Sequence, residues 1–112
     1  MLVDLNPVVG TEANKVRPAV VVSNDGANRA AERFGRGVIT VAPVTSNITR
    51  VYPFQVRLPS DGTGLAAESK IQAEQIRAVD VARVGRLLGR LPASLHEPLR
   101  EALAIHLGLR KR

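Results

Sequence analysis

Apolar residues in this chain come in short, β-branched runs, each cut off by glycine, proline or an Asn-Asp pair, and only the C-terminal stretch carries a helical period. That rhythm excludes a helix bundle and calls for several short strands joined by turns. Leu2 to Leu5 is a short apolar start, followed by a turn at Asn6-Pro7 and a polar loop from Gly10 to Lys15. Pro18 to Ser23 reads as a buried strand in which proline fits only at the beginning, where its missing N–H breaks no ladder. Asn24-Asp25-Gly26 reads as a turn, and Asn28 to Phe34 as one or two helical turns. Val38 to Val44 is the second clear strand, with Pro43 implying an edge or a bulge.

Further on, Val51 to Leu58 alternates, so that Tyr52, Phe54, Val56 and Leu58 form the expected buried row. Ser60 to Gly64 is a loop. Ser69 to Ala73 and Gln75 to Val79 read as one further strand with a bend, and Val84 to Leu91 as another, weakened by two glycines. Leu95, Leu99, Ala102, Leu103 and His106 then fall at helical spacing. The start of that helix has two readings, a capping box from Ser94 to Glu97 or a cap at Glu97 with Pro98 in the favoured first position. Gly108 is the expected stop. Five or more short strands and one terminal helix predict a small, strongly bent antiparallel sheet or barrel, capped by that helix. At 112 residues the chain makes a single domain, 1–112, and the basic tail over 110–112 is expected to be flexible.

The chemistry narrows by exclusion. There is no cysteine, which removes disulfides, thiolate zinc sites and cysteine nucleophiles together. His96 and His106 lie on one helix, ten residues apart, so they do not face each other as the acid and base of a two-histidine ribonuclease. The carboxylates are scattered without metal-ligand spacing, and neither a phosphate-binding loop nor a serine elbow is present. No cofactor or metal is expected. A formal charge of +6, carried mostly by arginine, suits a polyanionic partner. With Phe34, Tyr52 and Phe54 as the only aromatics, base stacking is a minor part of any recognition.

What remains is polar residues where strands meet loops: Arg17, Asn24-Asp25, Thr45-Ser46-Asn47 and Glu74-Gln75. An arginine, a hydroxyl and a few amides suffice for one reaction, cleavage at a phosphate whose neighbouring ribose 2'-OH is the nucleophile. Taken alone these residues permit that reaction without specifying it, and a surface cation at Arg17 with an ordinary turn at Thr45-Ser46-Asn47 is the simpler reading.

Val3-Asp-Leu-Asn-Pro7, Gly10-Thr-Glu-Ala-Asn14, Val16-Arg-Pro-Ala-Val-Val-Val-Ser-Asn-Asp25, Val44-Thr-Ser-Asn47 and Ala73-Glu-Gln-Ile-Arg77 together resemble the successive motifs of the MazF/PemK family of toxin endoribonucleases. Glu101-Ala-Leu-Ala-Ile-His-Leu-Gly-Leu109 is similar to that family's terminal helix. The resemblance implies a homodimer of SH3-like small barrels of the CcdB/MazF/PemK type. It implies metal-independent cleavage of single-stranded RNA at short sequences, leaving a 2',3'-cyclic phosphate and a 5'-OH. The family's catalytic pair falls on Arg17 and Thr45, and its substrate contacts on Glu12, Asn14, Lys15, Asn24, Ser46, Ser69, Glu74 and Gln75. Ala13 stands where relatives often carry a bulkier or polar residue. Relatives also begin with several more residues, so either the start is assigned late here or the first strand is short.

The sequence has no apolar run long enough to span a bilayer and no signal-peptide pattern, so a cytoplasmic location is expected. The resemblance implies a second partner, a labile antitoxin whose C-terminal segment lies across the RNA cleft. Two alternatives stand beside the nuclease: a gyrase-directed toxin on the same fold, and a non-catalytic small β-barrel that binds RNA.

Overall fold

A computed structural model of the chain describes residues 1–5 and 16–110. Seven strands and two helices follow in the order β1 (Leu2–Leu5), β2 (Arg17–Val21), α1 (Asp25–Phe34), β3 (Val38–Thr45), β4 (Gln55–Leu58), β5 (Ser69–Gln72), β6 (Arg77–Asp80), β7 (Val84–Gly89) and α2 (His96–His106). The ladders are antiparallel and run β4-β5-β3-β2-β1-β7, with β6 also paired to β3.

The longest strand organises the sheet. On one side β3 pairs with β2; on the other it takes β6 along Val38 to Val41 and β5 at Val44 and Thr45. Pro43 sits where the neighbour changes from β6 to β5, so its missing N–H interrupts no ladder. The edge or bulge expected from this proline is therefore absent, and β3 is central. The segment expected as one bent strand is two strands, β5 and β6, separated by a single 3₁₀ turn at Ala73–Gln75.

Neighbouring residues on a strand face opposite ways, and here both faces are covered. Leu2, Val20, Ala42, Val44, Val56, Leu58 and Ile71 pack with Leu99 and Ala102 of α2. Val3, Leu5, Ala19, Val21, Ile39, Val41 and Val79 pack with Ala31 of α1 on the other face. The continuous apolar run in β2 is the sequence trace of this two-sided burial. α1 is longer than expected, because Asn24 is its N-cap and not part of a free turn: Asn24 Oδ1 accepts the Ala27 amide at 2.8 Å. Ser23 and Asn28 tie this corner to the sheet, through Asn28 Nδ2 to the Ser23 carbonyl at 2.9 Å and the Thr40 amide to Ser23 Oγ at 3.1 Å.

Of the two forms expected, a strongly bent sheet or a barrel, the structure has an antiparallel sheet that does not close. Among the described residues no ladder joins β4 to β7. The loop after β4 fills that gap with backbone against backbone: a Cβ on Gly64 would lie 2.2 Å from the Leu88 carbonyl oxygen, and one on Gly89 2.8 Å from that of Thr63. Thr63 is fully buried, and its hydroxyl donates to carbonyls at Pro59 and Ser60.

Two other expectations need correction. β4 covers only Gln55–Leu58, since Pro53 lacks an N–H and the chain turns through a Gln55 amide to Tyr52 carbonyl bond of 2.9 Å. Tyr52 is consequently exposed, stacked 5.2 Å from Phe54, while Gln55 is buried in its place. α2 starts at His96 with no side-chain cap and Pro98 in its first turn, unlike either reading of the sequence. Amides there have no partner within the helix, so proline costs it no bond. Gly108 does end it, at φ 72°, with Gly108 donating to Ile105 and Leu109 to Ala104.

Candidate active site

Arg17 opens β2 and Thr45 closes β3. The two strands pair Val21 with Val41, Val20 with Ala42 and Ala19 with Pro43. That ladder ends at Ala19–Pro43, and Arg17 and Thr45 lie two residues beyond it, at the same end of the two strands. They border a cleft of about 320 Å³ with Val16, Ser46, Leu65 and Ser69. Two residues far apart in sequence are thus brought together by strand pairing alone.

Arg17 is exposed and has no carboxylate or hydrogen-bond partner among the described residues, so its five donors face the cleft unspent. Thr45 Oγ1 accepts the Asn47 amide at 3.2 Å, and Asn47 Oδ1 accepts the Thr49 amide at 3.3 Å. With its oxygen fixed in this way, the Thr45 hydroxyl keeps its proton to donate. Ser46 is exposed beside it, whereas Ser69 is buried and donates to the Ala67 carbonyl at 2.9 Å.

The same row continues across the sheet. Thr45 pairs with Lys70 on β5, and Lys70 with Arg57 on β4. Arg57 is held by Glu68 in a two-pronged ion pair at 2.8 and 3.0 Å, which raises the guanidinium above its usual value and lowers the carboxyl below its own. Lys70 is 8% exposed and its Nζ donates to the Arg50 carbonyl at 2.6 Å. Lys70 is absent from the residues expected from the sequence. The available signal is positional, since it stands next to Ser69 at the start of a short strand.

The other expected contacts lie elsewhere. Glu12, Asn14 and Lys15 fall outside the described residues. Asn24 caps α1, at the end of β2 remote from Arg17. Glu74 and Gln75 occupy the turn between β5 and β6. There Glu74 Oε2 accepts Gln55 Nε2 at 2.6 Å, Glu74 Oε1 is buried without a partner among the described residues, and Gln75 is exposed. Glu74 borders a separate cavity of about 290 Å³ with Phe54, Ile105 and His106. Within one chain the structure therefore gathers Arg17, Thr45, Ser46 and Ser69, and leaves Asn24, Glu74 and Gln75 outside their cleft.

An arginine without a partner among the described residues and an oriented hydroxyl lining the same open cleft can hold a phosphate and stabilise charge as it develops there. Residues 1–107 match the family described as PemK-like, MazF-like toxin of type II toxin-antitoxin system. The chain belongs to that family. It is 59% identical over 107 residues to the endoribonuclease MazF9 of Mycobacterium tuberculosis (strain ATCC 25618 / H37Rv), covering 96% of this chain and 91% of that protein. The endoribonuclease EndoA of Bacillus subtilis (strain 168) is 36% identical, over 95% of this chain and 88% of its own length. Among solved structures, MazF from Deinococcus radiodurans superposes with a TM-score of 0.68 at 34% identity, covering 96% of this chain and 92% of that one. The M. tuberculosis toxin MazF-mt6 shares the fold, with a TM-score of 0.78 at 22% identity and coverage of 99% and 100%. The toxin thus keeps the MazF architecture, an antiparallel sheet with a C-terminal helix, with the open sheet described above. Among the described residues no helix is long and apolar enough to cross a membrane.

Proposed function

We propose that this endoribonuclease toxin cuts single-stranded RNA at short sequences without a metal ion, using Arg17 and Thr45. The observation that carries the reading is that both line one cleft, at the same end of the paired strands β2 and β3. In the reaction the ribose 2'-oxygen bonds to the adjacent phosphorus and loses its proton, while the bond to the 5'-oxygen breaks and that oxygen gains one. The products are a 2',3'-cyclic phosphate and a 5'-OH. Arg17 holds the non-bridging oxygens of the phosphorane, and the Thr45 hydroxyl donates to one of them or sets the 2'-OH in line. Arginine's intrinsic basicity is too high for an ordinary general base, so charge stabilisation is its main contribution. Ser46 and Ser69 contact the RNA at the cleft, and Glu12, Asn14, Lys15, Asn24, Glu74 and Gln75 remain substrate contacts to be tested.

The active form is a homodimer in the cytoplasm, and its activity is restrained by an antitoxin. A MazE-MazF structure from D. radiodurans, 30% identical and covering 96% of this chain with a TM-score of 0.71, supports that partner. A cleft whose one charged lining residue is Arg17 suits an acidic, flexible segment that orders on binding.

The test is a long single-stranded RNA incubated with the protein in EDTA, comparing wild type, Arg17→Ala and Thr45→Ala and mapping the ends. Discrete cuts with cyclic-phosphate and 5'-OH ends, lost in both variants, are expected. Intact RNA with trapped gyrase on DNA would indicate a gyrase poison. RNA bound but uncut, with Arg17→Ala merely weakening affinity, would indicate a non-catalytic binder.

A further inference from the structure

Lys70 is the one lysine among the described residues, and it is buried. Burying an ammonium is costly unless its donors and its charge are answered. Among the described residues no carboxylate pairs with it. Its Nζ instead donates to the Arg50 carbonyl at 2.6 Å and lies 6.0 Å from the centroid of the Tyr52 ring. Both partners belong to the segment 46–54 that leads from β3 to β4. A lysine in this position therefore spends its charge and its reach on holding a loop.

That loop begins at Thr45. From Thr45 the hydrogen bonds are internal, Asn47 amide to Thr45 Oγ1 and Thr49 amide to Asn47 Oδ1, and they shape the loop without tying it to the sheet. The next bond, from Lys70 to Arg50, makes that tie to β5, and the Tyr52 amide to Gln55 Oε1 bond at 3.1 Å closes the segment onto β4. Lys70 also stands directly opposite Thr45 in the β3–β5 register, so its backbone and side chain brace the same short stretch from both ends.

We propose that Lys70 is a positioning residue for RNA cleavage, fixing the segment after Thr45 to β5 and so holding the Thr45 hydroxyl and Ser46 in register with Arg17. The proposal rests on this cleft being the cleavage site. Its magnitude follows from geometry, since a misplacement of about 1 Å at a reacting centre costs on the order of 10²-fold in rate.

The experiment measures kcat and KM on a short single-stranded RNA carrying one mapped cut site. Wild type, Lys70→Met, Lys70→Arg and the control Thr45→Ala are compared, with thermal unfolding recorded for each. Lys70→Met is expected to lower kcat roughly 10- to 100-fold with KM changed less than about threefold, and Lys70→Arg, which keeps a donor and the charge, to recover most of that loss. Should Lys70→Met fail to fold, Lys70→Gln is read in the same way, because it keeps a polar head but lacks the reach to Arg50. A folded Met or Gln variant with kcat within about threefold of wild type overturns the proposal, as does a loss confined to KM, which would make Lys70 an RNA-attracting charge. Wild-type protein that leaves RNA intact would refute the functional reading itself. Cleavage lost in Thr45→Ala but unaltered in the Lys70 variants would refute only the role of Lys70.

Discussion

At the scale of single residues, Arg17 and Thr45 contribute different things and different substitutions separate them. A guanidinium presents a planar fork that meets two phosphate oxygens at once; an ammonium is a point charge. Arg17→Lys keeps the charge in the cleft and loses the fork. The expected result is a fall in kcat on the order of 10²-fold, the loss seen when one preorganised donor is removed from an oxyanion site, with a smaller effect on KM. Thr45→Ser keeps the hydroxyl and the bond it accepts from Asn47, so it is expected to retain more activity than the near-isosteric Thr45→Val, which keeps shape and loses the donor. Steady-state kinetics on one RNA substrate check both, and a fully active Thr45→Val would remove the hydroxyl from the mechanism.

At the scale of elements, caps and close approaches decide where the chain goes. Asn24 holds the first turn of α1, so Asn24→Ala is expected to cost about 1 kcal/mol of stability while leaving kcat unchanged. A kcat loss in a stably folded Asn24→Ala would return this residue to the substrate. Gly64 and Gly62 both have positive φ, but only Gly64 meets the backbone of β7. Gly64→Ala is expected to cost about 2–4 kcal/mol, against about 1–2 for Gly62→Ala, read by denaturant unfolding. These contacts also explain what could be read from the sequence. Strand periodicity located β2 and β3 because their buried runs are local signals, and the spacing of Leu99 and Ala102 located α2 in the same way. Asn24-Asp25-Gly26 misled because asparagine favours turns and helix caps alike, and only the following chain decides between them. The packing across the open gap between β4 and β7 was illegible because it rests on Gly64 meeting Leu88, a contact between segments that carry no matching local pattern. The cleft was legible in Arg17 and Thr45 through the family's motif order, while Lys70 emerges only from the register of β3 with β5.

For the whole molecule, the distribution of charge matters more than its sum. The chain carries a formal +6, yet its arginines are spread over both ends of the sheet. Arg29 and Arg33 lie on α1 and Arg36 just after it, beside the Val38 end of β3, whereas Arg17 shares a cleft with Thr45 at the other end. Seven residue steps along β3 separate those ends by roughly 23 Å. At physiological salt the screening length is about 8 Å, so the α1 arginines add little to the field in the cleft of the same chain. RNA affinity should therefore follow location. Removing a phosphate contact reduces the slope of log K against log salt by about 0.7 for a single strand. Arg17→Ala is expected to show that reduction for an uncleavable RNA carrying a 2'-deoxy sugar at the cut site, and Arg36→Ala to leave the slope unchanged. Equal reductions in the two variants would mean that the RNA track extends over α1, and that the cleft beside Thr45 is one stop on a longer path across the protein.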